Sequence, residues 1–178
     1  RSGVPVVGKN YFPSNIQGMP TWYEIRVTRD NHRARAGQVD IMVACNAETY
    51  ARDLAEVVSG GFLIYDSTWP RPALLKREDI TVLGVPLASL CNEHFAGVRN
   101  RILMKNICYA GVLAALCDID LEIIRKLLAE TYAKKPQLVD SNMQAVQLGY
   151  DYAREHFSCP LPLRVAQALM GQLAVGAK

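Results

Sequence analysis

Apolar residues recur along the chain with two different periods, and the change from one to the other predicts the architecture. The segment "GVPVVGK" at 3–9 has the composition of a strand already under way, with Arg1 and Ser2 offering no initiating turn. In "TWYEIRV" at 21–27, Trp22, Glu24 and Arg26 alternate with Tyr23, Ile25 and Val27, which predicts a half-buried strand with one polar-leaning face. A solvated loop, "RDNHRARAGQ", separates it from "VDIMVAC", an apolar strand interrupted by one acid. The period then lengthens. Across 46–58, Ala47, Tyr50, Leu54, Val57 and Val58 recur at helical spacing, with Asn46 as the cap and "SGG" as the stop. "FLIYD" is the next buried strand, so the order strand, helix, strand predicts a parallel crossover.

After the proline-punctuated 67–79, "ITVLGVPL" supplies a further strand, expected to stop at Gly84 and Pro86. Helical patterns follow: a short one over 88–97, and a longer one over 99–117 that is apolar on every side after Asn106 and so belongs inside one layer. An amphipathic helix is led by Asp118 and Asp120 and broken by Pro136. The last helix covers 138–157, with Asp140 or Ser141 near its start. "SCPLPLRV" reads as an extended exit. The fold class expected from this order is α/β, with a mostly parallel sheet between helical layers.

Composition narrows the function classes. A chain of 178 residues, half of them hydrophobic, is expected to form one globular domain with a substantial core. The net charge of +3 is too small to argue for nucleic acid or a membrane surface, though it suits a phosphate-bearing small ligand. The five cysteines, Cys45, Cys91, Cys108, Cys117 and Cys159, are scattered and mostly set in apolar runs, the usage of small buried side chains in a reducing cytosol. The longest apolar run, Ile107 to Cys117, has about half of the ~20 residues a membrane span requires, and no signal-peptide pattern opens the chain.

Metal and nucleophile chemistry find little support. Cys91 and His94 stand at ligand spacing without a second pair, which makes Cys91 core and His94 surface or interface. His32 and His156 lie in polar surroundings and are read as solvated. The closest cysteines, Cys108 and Cys117, are nine positions apart, too far for the clustered spacing of an iron–sulfur site. Neither GxSxG, GxxxxGK[ST] nor GxGxxG occurs. The basic loop of Arg29, His32, Arg33 and Arg35 is a secondary candidate for an acidic partner. The polar turn "PSNIQG" at 13–18 is the main one. It is either a tight turn built by Pro13, Asn15 and Gly18, or a nest of amides over Ser14–Gly18 that, with Lys9, receives a phosphate while Asn15 and Gln17 bond amide groups of a ligand. Asn106, opening an apolar helical stretch, either caps or bridges within the core or faces a ligand cleft.

Taken in order, "YFPSNIQGMPTWYEIRV", "VDIMVACNAETYARDLAEVVSGGFLIYD", "RILMKNICYAGVLAAL" and "DSNMQAVQLGYDYA" resemble the gamma domain of 2-oxoacid:ferredoxin (acceptor) oxidoreductases. The "CPLPLRV" exit resembles the junction at which enzymes of the 2-oxoglutarate type continue into the alpha portion of a fused subunit. The resemblance implies a three-layer sandwich over 1–165, followed by an extension or linker over 166–178. It also implies oxidative decarboxylation of a 2-oxoacid, with electrons passed to ferredoxin and the acyl group to coenzyme A. Thiamine diphosphate, magnesium and [4Fe–4S] clusters would then sit on partner domains or subunits. To this domain it assigns docking and part of the coenzyme A site, with Ser14, Asn15, Gln17 and Gly18 as contacts and Lys9 and Asn106 as weaker transfers. Family members open with a strand, a glycine-rich loop and a first helix, and this sequence begins after them. The loop's amides would ordinarily add to the ligand site. A purely structural domain of the same complex and an independent nucleotide-binding module are the alternative functions.

Overall fold

The computed structural model describes residues 5–12, 20–28, 34, 37–69 and 76–162. These belong to two compact units, one holding the described residues up to Gly37 and the other running from Gln38 to Pro162.

In the first unit, β1 (Val6–Tyr11) and β2 (Trp22–Val27) pair antiparallel, from Val6 opposite Val27 to Tyr11 opposite Trp22. Alternation places Tyr23, Ile25 and Val27 on one face, and that face is open: Tyr23 and Ile25 are 63% and 58% exposed. The polar-leaning side of β2, carrying Trp22, Glu24 and Arg26, is the more covered one, and the Arg26 guanidinium donates to the Ala34 carbonyl. Periodicity predicted the strand, but its apolar face is the one left uncovered.

In the second unit, β3 (Val39–Ala44), β4 (Val57–Asp66) and β5 (Thr81–Val85) form a wholly parallel sheet in the order β3-β4-β5. Successive residues point to opposite faces, and here both faces are apolar, the signature of a strand covered on both sides. Ile41, Val43, Phe62, Ile64, Leu83 and Val85 join the core beneath α2 (Leu87–His94), α3 (Val98–Leu116) and α5 (Gln137–His156). Met42, Ala44, Leu63, Tyr65 and Val82 face the other way, into a smaller core with Tyr50 and Leu54 of α1 (Tyr50–Glu56). The expected three-layer α/β arrangement is the one found.

Several boundaries moved. The helix expected over 46–58 is a 3-10 turn, Ala47–Thr49, followed by α1, and Val57 and Val58 belong to β4. Val57 is β-branched, wholly buried and paired with Val39, so sheet packing overrides the helical spacing. Gly60, at φ +79°, lets β4 continue through "SGG". Arg77 ties this corner, donating to the carbonyls of Leu54 and Val57 at 2.6 and 2.7 Å while pairing with Asp79. β5 does not stop at Gly84, which pairs with Tyr65; it ends before Pro86. The last helix starts one residue before its expected first residue, with Asp140 in its first turn.

α4 (Leu121–Thr131) is capped by Asp120, whose side chain accepts the Glu122 N–H. The closest packing joins α3 to α5 at two glycines. A methyl group built on Gly111 would overlap the Val146 carbonyl, and one built on Gly149 would overlap the Cys108 carbonyl. Two helices approach this closely only where the facing positions lack a side chain.

Candidate functional site

The carboxyl ends of β3 and β4 open into a small cleft of about 130 Å³. Loops leave parallel strands at this edge, so polar side chains can converge there without entering the core. Cys45 and Asn46 come directly after β3, Asp66 closes β4, Trp69 belongs to the following loop, and Tyr50 and Lys105 project from α1 and α3.

Asp66 organises the site. It is buried, and its Oδ1 accepts the Thr68 N–H at 3.2 Å and the Ala88 N–H at 3.4 Å. Oδ2 accepts from the Lys105 ammonium at 3.4 Å. Thr68 Oγ1 takes the Ser89 N–H at 3.1 Å. The residue before α2 is Pro86, which offers no capping side chain, so Asp66 and Thr68 satisfy the first amides of that helix from a distant strand end. Asn46 caps the turn beside it, its Oδ1 accepting the Glu48 N–H at 3.2 Å. The Thr49 hydroxyl lies between the Asn46 carbonyl and the buried Asp53 carboxylate, 2.6 Å from the latter.

The cysteines were expected to be mostly small buried side chains: Cys91 and Cys108 are buried, Cys117 and Cys159 are partly so, and Cys45 is exposed. Protein packed around its thiol nevertheless raises its pKa by desolvation. Lys105 opposes that rise, and Asp53 and Asp66 add to it. A thiol kept neutral is a weak nucleophile.

A larger open trough of about 790 Å³ lies at the opposite end of β4 and β5, with Phe62, Thr81 and Leu83 in one wall and His156, Phe157 and Pro160 in the other. His156 is not merely solvated: its ring stacks on Tyr152 at 4.0 Å, and its Nδ1 lies 2.9 Å from the Tyr152 carbonyl. Among the described residues no three metal-capable side chains come together, and no helix is long and apolar enough to cross a membrane.

Of the candidate coenzyme contacts, Lys9 and Asn106 are described. Ser14, Asn15, Gln17 and Gly18 lie outside the described residues, as do Arg29, His32, Arg33 and Arg35. Their segment at 13–18 connects β1 to β2. Lys9 is exposed on β1, its ammonium 5.2 Å from the centre of the Tyr11 ring. Asn106 is exposed within α3; it neither caps the helix nor bridges the core. The cleft residues Asp66 and Lys105 escaped sequence reasoning. Their signal was positional: a carboxylate ending an apolar strand marks the carboxyl edge of a parallel sheet.

Residues 1–152 match the family described as pyruvate ferredoxin/flavodoxin oxidoreductase. The alpha subunit of 2-oxoacid:ferredoxin oxidoreductase 2 from Aeropyrum pernix is 25% identical over 195 residues, covering 89% of this chain and 30% of that protein. The 2-oxoglutarate:ferredoxin oxidoreductase of Magnetococcus marinus, solved with 2-oxoglutarate, coenzyme A and succinyl-CoA bound, is similar with a TM-score of 0.80 at 22% identity, over 96% of this chain and 29% of that one. The gamma subunit of a keto/oxoacid ferredoxin oxidoreductase from Geobacter sulfurreducens gives a TM-score of 0.64 at 19% identity, over 86% and 83% of the two chains. These structures share the fold. The chain spans under a third of the length of the Aeropyrum and Magnetococcus proteins. With most of its length matched, it belongs to the pyruvate ferredoxin/flavodoxin oxidoreductase family.

Proposed function

We propose that this chain acts as the gamma domain of a multi-subunit 2-oxoacid:ferredoxin oxidoreductase, where it docks the thiamine-bearing portion and helps to hold coenzyme A. The reaction of such a complex oxidatively decarboxylates a 2-oxoacid, moves the acyl group to the coenzyme thiol and passes two electrons to ferredoxin. The observation that carries the reading is the family match over residues 1–152, which includes the "PSNIQG" turn. The fold shared with an enzyme solved with coenzyme A bound adds support. 2-Oxoglutarate is the favoured substrate, from the "CPLPLRV" exit.

Among the described residues no group of three or more metal-capable side chains comes together. In this reading the iron–sulfur clusters and the thiamine diphosphate reside on partner portions. The domain's contribution is positioning: it keeps the coenzyme thiol within reach of an acyl group formed elsewhere. Ser14, Asn15, Gln17 and Gly18 supply the contacts, with Lys9 and Asn106 secondary. A scaffold role without ligand contact is the second reading, favoured by the exposed Tyr23, Ile25 and Val27 face of the hairpin.

In the whole enzyme, changing both Asn15 and Gln17 to alanine removes two hydrogen-bonding groups and is expected to weaken coenzyme A binding about tenfold by calorimetry. Decarboxylation measured by CO₂ release before acyl transfer stays intact. Unchanged coenzyme affinity would overturn the assignment, and altered subunit assembly without an affinity change would favour the scaffold.

A further inference from the structure

We infer that the cleft at the carboxyl ends of β3 and β4 is a binding site for a small oxyanion, the carboxylate or phosphate group of a ligand, held by Lys105 and Asn46. Its chemistry is an excess of donors. The one carboxylate lining it, Asp66, already accepts two backbone N–H groups and the Lys105 ammonium, so three of its roughly four acceptor positions are used inside the fold. Lys105 is held at 3.4 Å, longer than the ~2.8 Å of a well-formed charge-assisted bond. Its side chain is 32% exposed, leaving ammonium protons free to turn toward the cleft. Asn46 uses its carbonyl oxygen as a cap, and among the described residues its amide nitrogen has no partner. The neutral Cys45 thiol places no negative charge beside an incoming anion.

Size limits the ligand group. At about 130 Å³ the cleft offers the space of a carboxylate or phosphate group rather than of a whole nucleotide. Trp69, 58% exposed, forms one wall and leaves the mouth open for the remainder of the ligand. A cation is the poorer fit, because its natural ligand is occupied by Lys105. This inference does not rest on the coenzyme contacts proposed at 13–18.

Alkylation of Cys45, the exposed thiol of the cleft, reports occupancy directly. The full chain is treated with iodoacetamide with and without inorganic phosphate or acetate, at ionic strength matched with chloride, and each cysteine is followed by mass spectrometry. The expected result is a several-fold slowing at Cys45 by one or both anions, with Cys117 and Cys159 unchanged. Protection by phosphate alone assigns a phosphate-bearing ligand, and protection by acetate alone assigns a carboxylate. Lys105→Gln abolishes the protection ratio and Lys105→Arg keeps it, with thermal melts confirming that both variants fold. No protection by either anion, or equal protection in Lys105→Gln, overturns the site.

Discussion

The hairpin and the α/β unit both carry regularly spaced apolar strand residues, yet they spend that apolar surface in opposite ways. β4 alternates Leu63 and Ile64 between two helix-covered faces, and both side chains are almost wholly buried. β2 alternates just as regularly, and Tyr23 and Ile25 stand in solvent. A strand's period says that its faces differ; neighbouring elements decide which face is dry. A two-stranded sheet is at best marginal in water, whereas three parallel strands clad in helices hold themselves. An exposed apolar strand face is also what a docking element presents before its partner arrives.

The contrast breaks most visibly at core positions. Leu63→Ala should cost about 3 kcal/mol in thermal or urea unfolding, because it removes buried contacts and leaves a cavity. Ile25→Ala in the hairpin should change the same transition by less than ~0.5 kcal/mol. Comparable losses at the two positions would show that the hairpin face is covered in the free chain.

The glycines sharpen it next. Gly111→Ala drives a methyl group into the Val146 backbone and should destabilise the chain by about 2 kcal/mol, read as a lower midpoint, because two helices must move apart. Gly8→Ala meets only the hydroxyl end of Tyr23, an exposed side chain free to swing away, so its midpoint should barely move.

Acid provides the mildest perturbation. The Arg77 hydrogen bonds hold Asp79 below the ordinary carboxylate range. Its folded-state pKa lies below the unfolded value, so its stabilising effect is complete above the unfolded pKa and is lost as pH falls through the folded one. Hydrogen exchange should show the Leu54–Gly60 corner loosening first in that window, ahead of β2, and Asp79→Asn should remove the pH dependence.

Much of the second unit was legible because each strand carried its own evidence. "VDIMVAC", "FLIYD" and "ITVLGVPL" are short, β-branched and apolar on both faces, and such segments are stable only inside a parallel sheet. Asp120 before an amphipathic run announced α4 for an equally local reason, since a cap and its amides are two residues apart. Val57 and Val58 misled because their helical spacing to Tyr50 and Leu54 is real, and only pairing with β3 recruits them to β4. The cleft was hidden for the same cause: Asp66 is 22 positions from Ala88 and 39 from Lys105, and no local pattern records that one carboxylate caps a helix and holds an ammonium.

The amino-acid sequence by itself determined the parallel α/β class, most of the helices and the family, because periodicity, capping and motif order act between residues close along the chain. The tertiary structure alone decided which hairpin face stays wet, how near α3 and α5 approach, and that Cys45, Asn46, Asp66 and Lys105 share one cleft. Those outcomes depend on contacts between distant segments, whose energies exist only once the sheet has brought the segments together.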